Sequence, residues 1–153
     1  MRYLSIDLGD KRTGLAVGDD ITRLATPVEI IELPREQHDG RALLDAIARA
    51  IDAHLGPADQ LVLGLPLNMD DTEGPRARLV RAFAVRLAER TGRTIHLHDE
   101  RLSSVQADWD MGQSGLTHKQ KKARRDALAA AAVLRDFLAT EAIKRSSDQA
   151  NHG

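Results

Sequence analysis

Residues 3–20 read YLSIDLGDKRTGLAVGDD and contain the signals for the first two strands of the fold. Apolar side chains alternate with polar ones over residues 3–8, a period of two that predicts a β-strand with one buried face. A turn at residues 9–12 leads into a second strand-like run at residues 13–17, so the pair predicts an antiparallel hairpin. Asp7 stands inside the first strand, where a buried carboxylate costs several kcal/mol unless a partner or a metal ion compensates it.

The rest of the chain predicts a third strand and then an alternation of helices and strands. Parallel strands joined by right-handed crossovers extend an antiparallel meander into one mixed sheet. We therefore expect an α/β fold whose five-stranded sheet has three antiparallel and two parallel strands, helices on both faces, and the first strand at its centre. The predicted elements are a strand at residues 24–33, a helix at 44–55, a strand at 61–65, a helix opening at Pro75, a strand at 94–98, a helix at 103 to about 111, and a final helix after residue 118.

Composition limits the possible functions. The 22 Lys and Arg residues nearly balance the 23 Asp and Glu residues, so any attraction to nucleic acid must be local. The absence of cysteine excludes disulfides and thiolate chemistry. With only one Trp, one Tyr and two Phe, the chain is poorly suited to stacking successive bases, so it would read nucleic acid through phosphate and shape.

Length and hydropathy predict a single domain. The 153 residues suffice for one hydrophobic core, which we assign to residues 1–139, with residues 140–153 as a loosely ordered tail that has little to bury. No apolar run approaches the length needed to span a bilayer, and the charged N-terminus does not resemble a leader. We therefore expect a cytoplasmic protein that does not bind membranes.

Three carboxylates occupy unusual places in the predicted fold. Asp7 lies within the central strand, Glu100 follows a parallel strand, and Asp126 begins the apolar stripe of the last helix. The carboxyl ends of parallel strands are where open α/β sheets bind ligands. Three carboxylates meeting there would repel one another, and hard divalent cations are the usual remedy. Ordinary alternatives stay open, because acids are common at strand ends and at helix starts.

Such a carboxylate site suits hydrolysis of a phosphodiester by two cations. One ion generates the attacking hydroxide, and both stabilise charge on the phosphate. Mg²⁺ fits best, since it accepts a few carboxylates, water and phosphate oxygens, and Mn²⁺ is expected to substitute for it.

Basic residues cluster where this chemistry would need them. Five cations lie within residues 119–125 and could bind phosphates locally, although a solvated helix face is the alternative interpretation. The candidates for binding substrate in this cluster and elsewhere are Lys11, Arg12, Arg76, Arg101, Lys121, Lys122 and Arg125.

Two other patterns are weaker. His96 and His98 share one strand face and could both bind zinc, but a third ligand is not evident. Ser103 and Ser104 are better explained as helix caps than as nucleophiles.

Four motifs, in this order and at these intervals, resemble one known family: IDLGDKRTGLAVGD, GLPLNMDDTEGPRA, DERLSSVQA and KKARRDALAAAAVL. Together they are similar to the YqgF (RuvX) family over residues 2–139. The resemblance implies a ribonuclease H-like fold and an activity as a pre-16S rRNA nuclease or a Holliday-junction-resolvase-like protein. It also implies that Asp7, Glu100 and Asp126 are the metal-binding and catalytic acids, with Asn68 and Arg76 on the substrate side.

The chain departs from the family pattern at two positions. Asp10 occupies a turn position that is often small or neutral, and Asp71 stands where glycine is usual in NMDG. Negative charge added beside a phosphate site could weaken binding or change the loop conformation.

The favoured function is therefore a Mg²⁺-dependent endonuclease that matures the 5′ end of pre-16S ribosomal RNA, a role that the resemblance implies. A resolvase of branched DNA is the second interpretation and would usually need a dimer, so monomer and homodimer both stay open. A nucleic-acid-binding factor without catalysis is a third. An actin-like ATP binder begins similarly but needs two related domains, for which this chain has no room.

Overall fold

The computed structural model describes the backbone of residues 1–101 and 118–152, and the side chains of residues 1–101 and 125–150. A short 3₁₀ turn at Gln37–Gly40 precedes the first helix. The other described elements are β1 (Arg2–Leu8), β2 (Thr13–Asp19), β3 (Ala25–Ile31), α1 (Arg41–His54), β4 (Gln60–Leu65), α2 (Pro75–Thr91), β5 (Ile95–Asp99) and α3 (His118–His152).

The strands form one mixed sheet in the order β3-β2-β1-β4-β5. β1 pairs antiparallel with β2 and parallel with β4, β2 pairs antiparallel with β3, and β4 pairs parallel with β5. The predicted sheet, with the first strand at its centre, is confirmed. The helix predicted at residues 103 to about 111 lies outside the described residues.

The two faces of β1 are built from different side chains because successive residues of a strand point in opposite directions. Leu4, Ile6 and Leu8 are buried in the main core, which packs against α1 and α2. The face with Tyr3, and therefore with Asp7, turns toward α3, where Tyr3 joins a second apolar cluster.

The face toward α3 is lined with small residues, so the helix lies close to the sheet. Ala16 packs against Ala130 and Ala131. The buried hydroxyl of Ser5 donates a hydrogen bond of 2.6 Å to the carbonyl oxygen of Ala130. This contact fixes the position of α3 along β1.

α3 continues through the segment that we expected to be loosely ordered. Residues 140–152 are helical, although the side chains of residues 143–150 are exposed, as expected for a segment that buries little. Arg145 pairs with Asp20 at 3.1 Å and ties this part of the helix to the end of β2. A domain boundary at residue 139 stays a prediction. Among the described helices, none is long and apolar enough to cross a membrane.

We predict that Thr13→Val stabilises the protein by about 1 kcal/mol. Thr13 is fully buried, and its Oγ1 is the one buried side-chain polar atom in the described part of the chain that has no hydrogen-bond partner. Valine keeps the shape and removes the unpaired hydroxyl. Urea denaturation measures the change, with Thr26→Val on the exposed face of β3 as the control, for which we expect less than about 0.5 kcal/mol. Equal effects at the two positions would contradict the prediction.

Candidate functional site

Asp7 lies between two glycines on neighbouring strands. It is directly opposite Gly14 on β2. On the other side Ile6 is in register with Leu63, which places Gly64 of β4 beside Asp7. Side chains in such a row share one face of the sheet, so the two glycines leave open space on either side of the Asp7 carboxyl group.

Other parts of the chain fill this space. A Cβ atom at Gly14 would lie 2.0 Å from the carbonyl oxygen of Asp126, so the backbone of α3 occupies the position of a side chain. A Cβ atom at Gly64 would lie 2.8 Å from Oε2 of Glu100, so the Glu100 side chain folds over β4 toward β1. The two glycines therefore allow Asp126 and Glu100 to approach Asp7.

Glu100 and Asp126 both act on the carboxyl group of Asp7. Burial raises the pKa of Asp7 well above its ordinary value, and the negative charge of Glu100, a hydrogen bond with the Glu100 side chain and the negative charge of Asp126 raise it further. The structure thus brings together the three acids that the sequence singles out. Their roles in metal binding and catalysis stay predictions.

Arg76 supplies positive charge to this group. It lies in the first turn of α2, is exposed, and lowers the pKa of Asp7 against the larger opposing effects. Pro75 at the start of α2 fixes the direction in which the helix begins, and so the place of Arg76.

Arg101 is held by acidic neighbours. Its Nε and Nη2 contact the Asp99 carboxylate at 3.0 and 2.6 Å, and Nη2 also contacts Asp71 Oδ1 at 2.6 Å. Nη1 donates to the carbonyl oxygen of Asn68 at 2.9 Å. The hydrogen bonds from Arg101 lower the pKa of Asp99. Binding of substrate by Arg101 stays a prediction.

Asn68 forms hydrogen bonds within the loop between β4 and α2. Its side-chain amide donates to Thr72 Oγ1 at 3.0 Å and packs beside Gly74. The Asn68 side chain is exposed. Its position on the substrate side stays a prediction.

The other predicted basic residues differ in their exposure. Lys11 and Arg125 are exposed, whereas Arg12 is partly buried and contacts Glu32 at 3.3 Å. Lys121 and Lys122 belong to α3, and their side chains lie outside the described residues.

The two histidines of β5 each contact a polar side chain, and their interpretation as zinc ligands stays untested. His98 Nε2 contacts Asp136 at 2.6 Å, and His96 Nε2 contacts Gln60 at 2.7 Å. Both rings pack near Phe137. The contact of His98 with Asp136 and the packing of both rings near Phe137 link β5 to α3.

The two departures from the family pattern both face arginines. Asp10 Oδ1 lies 3.0 Å from Arg35, which offsets its charge. Asp71 contacts Arg101 and has a φ of 69°, in the left-handed region that glycine prefers.

Sequence reasoning missed Gly14 and Gly64 as parts of the site. A glycine within a strand weakens it and marks a place where another backbone or a ligand comes close. Both glycines lie within predicted strands, so this signal was present in the sequence.

The donor set fits hard divalent cations. Asp7, Glu100 and Asp126 offer only carboxylate oxygens, and their mutual repulsion would be relieved by a bound cation. Over the residues whose side chains are described, no three Asp, Glu or His groups already enclose a metal position.

Solved structures identify the fold. The chain is similar to Thermus thermophilus RuvC in complex with a Holliday junction substrate, with a TM-score of 0.58 and 16% identity over 92% of this chain and 95% of that one. It is also similar to the fowlpox virus resolvase in complex with Holliday junction DNA, with a TM-score of 0.56 and 11% identity over 92% of this chain and 98% of that one. At such identities the likeness shows the fold, and the expected ribonuclease H-like fold is confirmed.

Sequence comparison identifies the family. Residues 1–140 match the model of the RuvX family, described as Holliday junction resolvase, and the chain belongs to this family. A protein of Anaeromyxobacter sp. strain Fw109-5 named "Putative pre-16S rRNA nuclease" is 41% identical over 90% of this chain and 96% of its own length. A protein of the same name from Lachnospira eligens is 36% identical over 90% of this chain and 96% of its own length.

We predict that Gly14→Ala destabilises the protein by about 1–3 kcal/mol, because the added methyl group must displace the α3 backbone at Asp126. Urea denaturation measures the loss. Gly56→Ala is the matched control, since a Cβ atom there would meet its nearest neighbour at an ordinary 3.4 Å. A loss at Gly14 no greater than that at Gly56 would show that α3 does not press on β2 at this point.

We predict that Asp7→Asn stabilises the metal-free protein at pH 7 by about 1 kcal/mol or more. The raised pKa of Asp7 means that its favourable contribution is full below the ordinary pKa of aspartate and is lost as the pH rises through the raised value. Asparagine carries no charge and can still donate a hydrogen bond to Glu100.

Urea denaturation in EDTA from pH 5 to 8 checks this prediction. The stability advantage of Asp7→Asn over wild type should grow with pH across the window of the raised pKa. Asp52→Asn on the exposed surface of α1 controls for loss of one negative charge. Parallel pH profiles for wild type and Asp7→Asn would contradict the prediction.

Proposed function

We propose that this protein is a divalent-metal-dependent endonuclease that hydrolyses phosphodiester bonds and acts in 5′-end maturation of pre-16S ribosomal RNA. The observation that carries the proposal is the approach of Glu100 and Asp126 to Asp7 at the carboxyl end of the central strand, in the space that Gly14 and Gly64 leave open. The names of relatives that cover nearly the whole chain support the choice of substrate. Such a role would place the protein in the cytoplasm.

Asp7, Glu100 and Asp126 would hold the metal ions through their carboxylate oxygens. Bound Mg²⁺, or Mn²⁺ in its place, would supply Lewis acidity for the phosphate and a lower pKa for the attacking water. Asp7 is fixed by the β1 ladder, and Glu100 follows β5 with its backbone N–H donating to Leu65 at 3.2 Å. A rigid sheet therefore positions two of the three acids, and α3 positions the third.

Basic groups on the rim would orient the nucleic acid. Arg76 lies near Asp7 at the start of α2, and Lys11 is exposed on the turn that follows β1. Arg125 directly precedes Asp126 in the cluster of five cations at residues 119–125. Binding through these groups would weaken steeply as salt increases, because phosphate contacts release counterions.

Branched DNA is the second candidate substrate. The description of the family model as Holliday junction resolvase favours it. Cutting two symmetric strands of a junction would need two active sites and so a homodimer, whereas cleavage of one RNA strand needs only a monomer.

We predict that Asp7→Asn, Glu100→Gln and Asp126→Asn each lower metal-dependent cleavage at least about a hundredfold while nucleic-acid binding in EDTA is retained. The reason is that each variant removes a proposed metal ligand without adding bulk. Purified protein is assayed on a structured RNA that contains the 16S 5′ region and on a four-way DNA junction, each with Mg²⁺, with Mn²⁺ and with EDTA.

Asp52→Asn on α1 is the matched control and should cleave like wild type. Cleavage of the RNA but not of the junction supports the proposed substrate, and the reverse supports the second candidate. Retained activity in Asp7→Asn would remove the basis of the proposed metal site, and absence of cleavage of both substrates by wild type would overturn the nuclease proposal.

A further inference from the structure

The loop between β4 and α2 is a closed hairpin. Leu67 and Glu73 form an isolated bridge at its base. At its tip the backbone N–H of Asp71 donates to the carbonyl oxygen of Asn68 at 3.0 Å, which closes a tight turn. The loop therefore holds the Asp71 side chain at a defined place.

Asp71 adopts a backbone conformation that is costly for most residues. Its φ is 69°, where glycine is favoured and aspartate is tolerated at some cost. The Asp71 side chain is 80% exposed, so burial of this side chain does not offset the cost of the backbone conformation. Its described favourable contact is with Arg101, whose Nη2 lies 2.6 Å from Oδ1.

Arg101 directly follows Glu100, and its guanidinium meets two acids. Asp99 binds it through both Nε and Nη2, whereas Asp71 contacts Nη2 alone. Bidentate contacts are the stronger kind. The Asp99 side chain is 37% exposed and that of Asp71 is 80% exposed. Asp71 is therefore the partner that can leave into solvent at lower cost.

We propose that Asp71 occupies the place on Arg101 that a phosphate oxygen of bound nucleic acid takes. This inference rests on the proposed function, since it assigns Arg101 to a phosphate beside the cleavage site. A phosphodiester is a single anion with two free oxygens, which suits a guanidinium N–H. Nucleic acid then binds by exchange, in which the phosphate replaces Asp71 while Asp99 keeps Arg101 in position.

The exchange makes Asp71 a determinant of affinity. An exposed ion pair contributes little to stability, so a phosphate can displace Asp71 but binds more weakly than it would to an unoccupied Arg101. The presence of Asp71 thus lowers the affinity of the Arg101 guanidinium for a phosphate.

The test measures binding of two fluorescein-labelled probes, an RNA hairpin with a single-stranded 5′ extension and a four-way DNA junction. Fluorescence anisotropy is recorded in EDTA, where cleavage does not occur, at 50 and 200 mM KCl. Asp71→Asn keeps the turn because asparagine tolerates positive φ, and Asp71→Gly also removes the backbone cost. Both variants should bind at least one probe about three- to fivefold more tightly at low salt, with a smaller gain at high salt.

Two controls separate this effect from general loss of negative charge. Glu73→Gln removes one charge from the same loop, but its partner is Arg81 on α2, so it should leave the affinity within about twofold. In an Arg101→Gln background, Asp71→Asn should give no gain.

Unchanged or weaker binding by both Asp71 variants overturns the inference, as does an equal gain in Glu73→Gln or a gain that persists without Arg101. Failure of wild type and both variants to bind either probe also overturns it. If the gain appears but wild type does not cleave, the inference stands and the proposed function fails. If wild type cleaves but the Asp71 variants bind no more tightly, only the inference fails.

Discussion

The close approach of α3 to the central strands is the constraint on which the site depends. Gly14, Ser5 and Ala16 keep that face of the sheet shallow, and the Ser5 hydroxyl bonds directly to the helix backbone. A larger residue in this row would lift α3 away from β1. The carboxyl group of Asp126 would then move away from Asp7, although no residue of the acidic group itself had changed.

The same packing explains how a costly group of acids is tolerated. The opposite face of the sheet carries a continuous apolar core with α1 and α2, which supplies stability and contains none of the three acids. The hydrophobic stabilisation of one face thus offsets the repulsion and burial of carboxylates on the other. The apolar core and the acidic group thus lie on opposite faces of the same sheet.

Much of the fold could be predicted from sequence because its signals are local. Alternation over residues 3–8 and the helical spacing over 44–55 follow directly from strand and helix periods. The proximity of Asp7 and Glu100 could also be predicted from the sequence, because parallel strands end at one edge of the sheet. The contact of Arg101 with Asp71 could not be predicted from the sequence, since it depends on the path of the loop that carries Asp71. The helical extent of residues 140–152 likewise has no strong apolar signal, and a contact such as Arg145 with Asp20 joins positions far apart in sequence.

The strict alternation of β1 also limits how this chain can change during evolution. Deleting or inserting one residue of β1 before Asp7 would exchange the two faces of the strand. The Asp7 side chain would then point into the apolar core. Length variation should therefore be absent from this strand. It should instead be found in the connections, such as the exposed residues 21–24 between β2 and β3, where added residues would leave every strand register intact.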